Sequence, residues 1–189
     1  MQEKREKWGQ LQKGLDASKL RFLDESSVNC GMTRLYGRSP TNERVNDYVP
    51  DVRFERTSII CVLGLNGITA PMMFKGTLNG DFFGGYVEYV LAPALSPGDI
   101  VVLDNYSPHK VIGVLDPIYE KGASVMFLPE YSPDLNPIEP MWSKGKSTLR
   151  KLKPRTPSEL EDAMCQALNS ITYNDIVGWF EHDGYSVNV

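Results

Sequence analysis

Apolar positions fall in short, strand-length runs interleaved with helically spaced ones up to residue 128, and in helical spacing alone beyond it. Leu20–Asp24 reads as a first strand. Thr57–Leu65, rich in β-branched residues, reads as a second, and Asn66-Gly67 is a tight-turn pair that returns the chain antiparallel through Ile68–Phe74. Asp99–Leu103 and Ala123–Leu128 are two further apolar strands. Helices are expected over residues 3–16, with Trp8, Leu11 and Leu15 on one stripe, and over Asn79–Leu95, with Phe82, Val87, Val90 and Leu91 in the core. Ser107-Pro108 fits an N-cap and first-turn proline for a helix to about Glu120, which Gly122 ends. Asn136-Pro137 opens a helix to about Lys153, and Thr156-Pro157-Ser158-Glu159 is a capping box for one to about Ser170. Tyr173–Phe180 forms a last short helix, whereas Ser26–Asp51, rich in turn formers and arginine, reads as a long hairpin or loop.

Strands that come first as a hairpin and then alternate with helices predict an α/β fold, a mixed five-stranded sheet flanked by helices on both faces. At 189 residues, 41% hydrophobic and 23% charged, the chain suits one domain with a sizeable core. No apolar run approaches the roughly 20 residues that cross a membrane, and no apolar stretch follows the polar N-terminus as in a secretory signal, so a cytoplasmic protein is expected. Cys30, Cys61 and Cys165 are far apart and, with only His109 and His182, make no zinc pattern; they read as free thiols. Charge changes the picture more than composition does. The net of −4 divides into +2 over residues 1–60, −6 over 61–139, +6 over 140–155 and −6 over 156–189. The basic block therefore directly follows Glu139, where it can serve a polyanion or merely solvate a helix face.

Three carboxylates carry the candidate chemistry. Asp104 closes one apolar strand, Asp24 closes another, and Glu139 opens a helix with 34 residues between it and Asp104. Two strand ends and a helix start can bring such groups together to hold two Mg²⁺ ions, the equipment of phosphodiester chemistry, with Mn²⁺ able to substitute at an all-oxygen site. Each residue also has a plainer explanation. Either Asp can simply terminate a strand, and Glu139, three residues after Asn136, can serve as the carboxylate of a capping box. Taken together with their flanking motifs, the three favour metal binding. Strand alternation turns Glu25 away from the face of Asp24, which makes it structural. Ser26, Ser27 and Ser107 lack a motif that would place a base beside them. His109 can touch a phosphate, orient a ligand or be structural. Arg34, Arg38 and Arg44 in the long loop, and Lys144, Lys146, Arg150 and Lys151 in the basic helix, are candidate phosphate contacts or solvated charges. Trp142 reads as a core anchor rather than a base-stacking platform.

The stretches Phe22-Leu23-Asp24-Glu25-Ser26, Arg34-Leu35-Tyr36-Gly37-Arg38-Ser39-Pro40, Val102-Leu103-Asp104-Asn105 with His109-Lys110, and above all Tyr131-Ser132-Pro133-Asp134-Leu135-Asn136-Pro137-Ile138-Glu139 within Leu128–Lys146 carry a resemblance. The chain resembles, over about residues 20–155, the catalytic domain of DDE transposases of the mariner-like superfamily, especially those of bacterial insertion sequences. That resemblance implies a ribonuclease H-like fold with Asp24, Asp104 and Glu139 as the metal-binding triad. It implies DNA cleavage at transposon ends and joining to target DNA, typically at TA, by a homo-oligomer associated with the nucleoid. The chain then divides into a helical lead-in at 1–18, a catalytic core at 19–155 and C-terminal helices at 156–189 packed on that core. Such transposases carry N-terminal helix-turn-helix modules, for which this chain has no room, so a frameshift-encoded second half or a truncated copy is expected. Gly145 inside the Glu139 helix costs about 1 kcal/mol relative to alanine and points to local bending or sequence decay. Two other readings stay open: another ribonuclease H-like nuclease such as a junction resolvase, and a non-enzymatic remnant that binds DNA or transposase subunits.

Overall fold

The computed structural model describes residues 2–51 and 53–187, so the outer ends of the expected lead-in and C-terminal segments, Met1 and residues 188–189, lie outside the described residues. The strands β1 (Leu20–Val28), β2 (Thr57–Gly64), β3 (Gly67–Lys75), β4 (Ile100–Leu103) and β5 (Ser124–Phe127) form one sheet in the order β3-β2-β1-β4-β5. β1, β2 and β3 pair antiparallel, while β4 runs parallel to both β1 and β5. The mixed five-stranded sheet expected from the sequence is the one observed.

Side-chain alternation sends the central strands' apolar residues into two separate layers. Phe22, Ile59, Cys61, Leu63 and Val102 face one layer. It is closed by helices α1 (Gln2–Gln12), α4 (Ile138–Leu152), α5 (Pro157–Asn169) and α6 (Tyr173–His182), through Trp8, Met141, Trp142, Leu149, Leu160, Met164 and Phe180 among others. Leu23, Ile60, Val62, Val101 and Leu103 face the opposite layer, closed by α2 (Gly80–Tyr86), the π turn that extends it over Val87–Leu91, and the short α3 (Asp116–Glu120). Both α1 and the two C-terminal helices thus share the core of the sheet. Arg21, ion-paired with the buried Asp99 at 3.0 Å, ties β1 to the approach to β4.

Several local expectations change. Leu20–Asp24 extends to Val28, because residues 22–28 pair antiparallel with β2. α1 ends at Gln12 and buries Trp8 and Gln12, leaving Leu11 exposed, so the predicted stripe is displaced. In α2 the Asn79 side chain caps the helix by accepting from the Phe82 N–H. Phe83 and Tyr86 then turn inward, and Phe82 lies at the surface against Phe74 with ring centroids 4.3 Å apart. The helix expected over 107–120 is broken. A 3-10 turn at Ser107–Lys110 gives way to extended Val111, and Gly113 adopts φ +79° before α3 begins. Among the described residues from 29 to 56 there is no strand or helix, and Leu35, Tyr36 and Tyr48 are fully or largely exposed. α4 passes through Gly145 without interruption, and a Cβ there would meet nothing within 4 Å.

Candidate active site

β1 and β4 run side by side in the same direction, with Phe22 opposite Val102. Continuing that register by two residues puts Asp24 opposite Asp104. Asp104 is the first residue beyond β4, as expected. Asp24 lies in mid-strand rather than at a strand end, since β2 carries β1 onward and Cys61 pairs with it there. Asp24 shares a face with Phe22, toward α4, where the Trp142 Nε1 donates to Asp24 Oδ2 at 3.1 Å. Glu139 lies one helical turn before Trp142 on α4, hence on the same flank of the helix. All three carboxylates line one cleft of about 480 Å³, together with Asn105, Lys110, Tyr131 and the loop that leads into α4. They line it without closing on a point: among the described residues, no three acidic, histidine or cysteine side chains are gathered tightly enough to grip one ion.

The capping explanation for Glu139 does not hold. α4 begins at Ile138 with Pro137 as its cap residue, and no side chain caps it. The Asn136 N–H that Glu139 would have reached is already bonded to the Pro133 carbonyl at 3.1 Å. Glu139 has no ion-pair or hydrogen-bond partner for its side chain among the described residues and stands exposed at the cleft.

The two aspartates experience opposite fields. Burial first, then the neighbouring charges of Glu139 and Asp104, push Asp24 up to about 8, against the pull of the Glu25 N–H and Trp142. Burial also acts to raise Asp104. There the His109 imidazole, the Tyr106 N–H at 3.0 Å and the Lys110 charge prevail and hold it below the usual carboxylate range. A buried carboxylate flanked by two others is the arrangement that a hard divalent cation relieves, and an all-oxygen donor set is what Mg²⁺ and Mn²⁺ take. The three carboxylates fit such an ion in donor chemistry, although they line the cleft without forming a closed ligand set.

His109 is buried at 1% exposure with Nδ1 2.9 Å from Asp104 Oδ1, off the line of an ideal hydrogen bond, and its ring lies against Phe83 at 4.5 Å. It touches a candidate ligand from inside the fold and offers no exposed face to a phosphate. Lys146 and Arg150 fall seven and eleven residues after Glu139, on its helical stripe. Lys144 and Lys151 lie on the flank toward α6, where Lys144 is ion-paired with Asp175 at 2.5 Å. Arg34, Arg38 and Arg44 are exposed along the loop that follows β1, none of them lining this cleft.

Three contributions escape a reading of the sequence. Trp142 is a core residue, as expected, but its indole N–H also holds Asp24; its spacing of three from Glu139 was the available signal. Lys110 donates to Asn105 Oδ1 at 2.9 Å, while Asn105 Nδ2 donates to the Leu128 carbonyl at 2.5 Å, tying the ends of β4 and β5 together at the cleft wall. Arg5 on α1 reaches Asp134 and Ser132, bracing the loop before α4 from residues far apart in sequence.

This strand order, with acidic residues where adjacent parallel strands meet a helix start, is that of a ribonuclease H-like fold. Residues 19–161 match the family of DDE superfamily endonucleases. The chain belongs to that family. No curated protein sequence matches it. Among solved structures it is similar to the catalytic domain of Mos1 mariner transposase, with TM-score 0.64 and 12% identity over 98% of this chain and 92% of that one. It is also similar to the Mos1 chain of a pre-cleavage transpososome, with TM-score 0.74 and 13% identity over 98% and 63%. For the Mos1 strand transfer complex the values are 0.68 and 16% over 88% and 52%. At such identities the likeness is one of fold, and the chain spans roughly half to two thirds of the transposase chains in those complexes. Mos1 paired-end complexes have been solved with Mn and with Mg.

Proposed function

We propose that this chain is the catalytic part of a DNA transposase, cutting DNA strands and joining them to a target at a divalent-metal centre held by Asp24, Asp104 and Glu139. The observation that carries the reading is the single cleft lined by all three carboxylates, between the parallel strands β1 and β4 and the start of α4. The acidic centre would take two Mg²⁺ ions, or Mn²⁺ in their place. When bound, such ions lower the pKa of an attacking water or 3′-OH and neutralise the departing oxygen. The residues around them do the rest. Trp142 fixes Asp24, His109 and Tyr106 hold the Asp104 carboxylate, and Lys146 and Arg150 line up behind Glu139 to take backbone phosphates. Every residue named acts without a covalent link to DNA.

Family membership and the fold support this reading. The DNA would be transposon ends and a target, with TA as the preferred site, bound by a homo-oligomer at the nucleoid. Readout of the ends would come from a separate helix-turn-helix portion. Single-turnover cleavage of end-containing DNA in Mn²⁺ tests the proposal. Nicking that disappears in Asp104→Asn and Glu139→Gln supports it. DNA bound without any nicking, with or without a helix-turn-helix portion supplied, would instead leave a non-enzymatic DNA-binding remnant.

A further inference from the structure

Consecutive residues of β1 face opposite layers, so Glu25 points away from Asp24 and into the layer of Leu23 and Phe83. There its Oε2 is sealed from solvent with no hydrogen-bonding partner among the described residues. His109 occupies the same layer, its ring against Phe83 and edge-on to Tyr106. The imidazole Nε2 is likewise sealed and without a partner, while Nδ1 meets Asp104 Oδ1 at 2.9 Å. Burial raises the Glu25 carboxyl above its ordinary range, with the neighbouring His109 and then Arg56 acting against it. A buried acceptor and a buried ring nitrogen in one layer each supply what the other lacks, and leaving both open is costly.

Asp104 needs such support. It stands one residue beyond the β4 ladder with its side chain 49% exposed, whereas Asp24 is held within β1 and by Trp142. We propose that Glu25 and His109 form a brace for Asp104, with Glu25 against the imidazole Nε2 and Nδ1 against the Asp104 carboxylate, so that Glu25 is a positioning residue of the metal centre. The inference rests on Asp104 being a metal ligand. Partners of this kind behind a ligand typically change metal affinity or activity by about 10- to 100-fold when removed.

The test measures Mn²⁺ affinity by electron paramagnetic resonance, alongside thermal melting and the ¹⁵N resonances of His109. The chain has only two histidines, so His182→Gln assigns them. Asp104→Ala, Glu25→Ala, Glu25→Gln, His109→Ala and the Glu25→Ala/His109→Ala pair are compared. Glu25→Ala is expected to weaken Mn²⁺ by about 10-fold or more and to shift the His109 ring nitrogens, with Glu25→Gln recovering most of the affinity. The double variant should be no weaker than His109→Ala, because the two residues act in series. Unchanged affinity in Glu25→Ala beside a loss in Asp104→Ala overturns the brace, as do additive losses or a Glu25→Ala effect confined to melting. Should Glu25→Ala fail to fold, unmoved His109 resonances in Glu25→Gln overturn it. Full Mn²⁺ affinity in Asp104→Ala would fell the metal-centre reading itself, and the brace with it.

Discussion

Asp24 within β1 and Asp104 just beyond β4 line one cleft, yet the two walls that hold them are made differently. The Asp24 wall is continuous regular structure: a nine-residue strand paired on both sides, and the fifteen-residue α4 backed by α5 and α6. The Asp104 wall is four residues of β4, a 3-10 turn and a broken connection to α3. The long, buried wall raises its carboxylate to about 8, and the short, open one keeps its own below the usual range. Preorganisation by regular structure carries a desolvation cost for charge, whereas a wall of turns fixes charge by supplying donors. The cleft between the two strands draws on both.

The largest expected effect is on catalysis. Asp24→Asn, Asp104→Asn and Glu139→Gln should each reduce Mn²⁺-dependent nicking to background in single-turnover assays. Their metal-free stabilities separate the walls. At pH 7 Asp24→Asn should raise the stability measured in denaturant, on the order of a few kcal/mol at most, by removing a carboxyl whose ionisation the fold opposes. Asp104→Asn should lower stability, because it removes a carboxylate that His109 and Tyr106 favour. Equal responses would erase the contrast.

Next in size is the binding of phosphate along α4. Neutralising Lys146 and Arg150 together should reduce the slope of log affinity against log salt by about 2 units, at roughly 0.9 per phosphate contact. Lys144→Gln and Lys151→Gln should change the slope little, Lys144→Gln acting instead by loosening α4 from α6 at Asp175. A larger change from the second pair would place DNA on the other flank of the helix.

Gly145→Ala should stabilise the chain by about 1 kcal/mol in thermal or denaturant unfolding, since α4 is continuous there and the added methyl meets open space. Destabilisation would mean that the Asp24 wall depends on a bend at this position. The smallest effect lies behind that wall. Burial pushes Asp183, at the end of α6, up to about 6, and its Oδ2 has no partner. A raised acid pKa favours folding below the unfolded value near 4, and that contribution is lost as pH rises to about 6. Asp183→Asn should therefore gain stability relative to the parent above pH 6 and match it below pH 4.

Much of this was legible in the residues because it depends on local rules. Asn66-Gly67 dictates a hairpin wherever it is placed between apolar runs, and Thr156-Pro157-Ser158-Glu159 starts a helix by capping, as it does here. The five strands, their mixed arrangement and the Tyr131–Glu139 run were visible for the same reason. Where neighbours in space decide, the reading failed: the Phe82 and Phe83 exchange, the extension of β1 and the break after Lys110. The Asn136 capping signal before Glu139 was a real local preference, but the Asn136 N–H had been taken by Pro133.

The sequence by itself determined which residues are acidic, which are apolar and at what spacing, and hence the elements and the three candidate carboxylates. Only the tertiary structure decided that β1 lies beside β4 in parallel register, that Trp142 and His109 reach one aspartate each, and that Lys146 and Arg150 share the stripe of Glu139 while Lys144 does not. Those facts depend on strand order, helix rotation and burial. Such quantities belong to contacts between residues distant in the chain, and no local pattern encodes them.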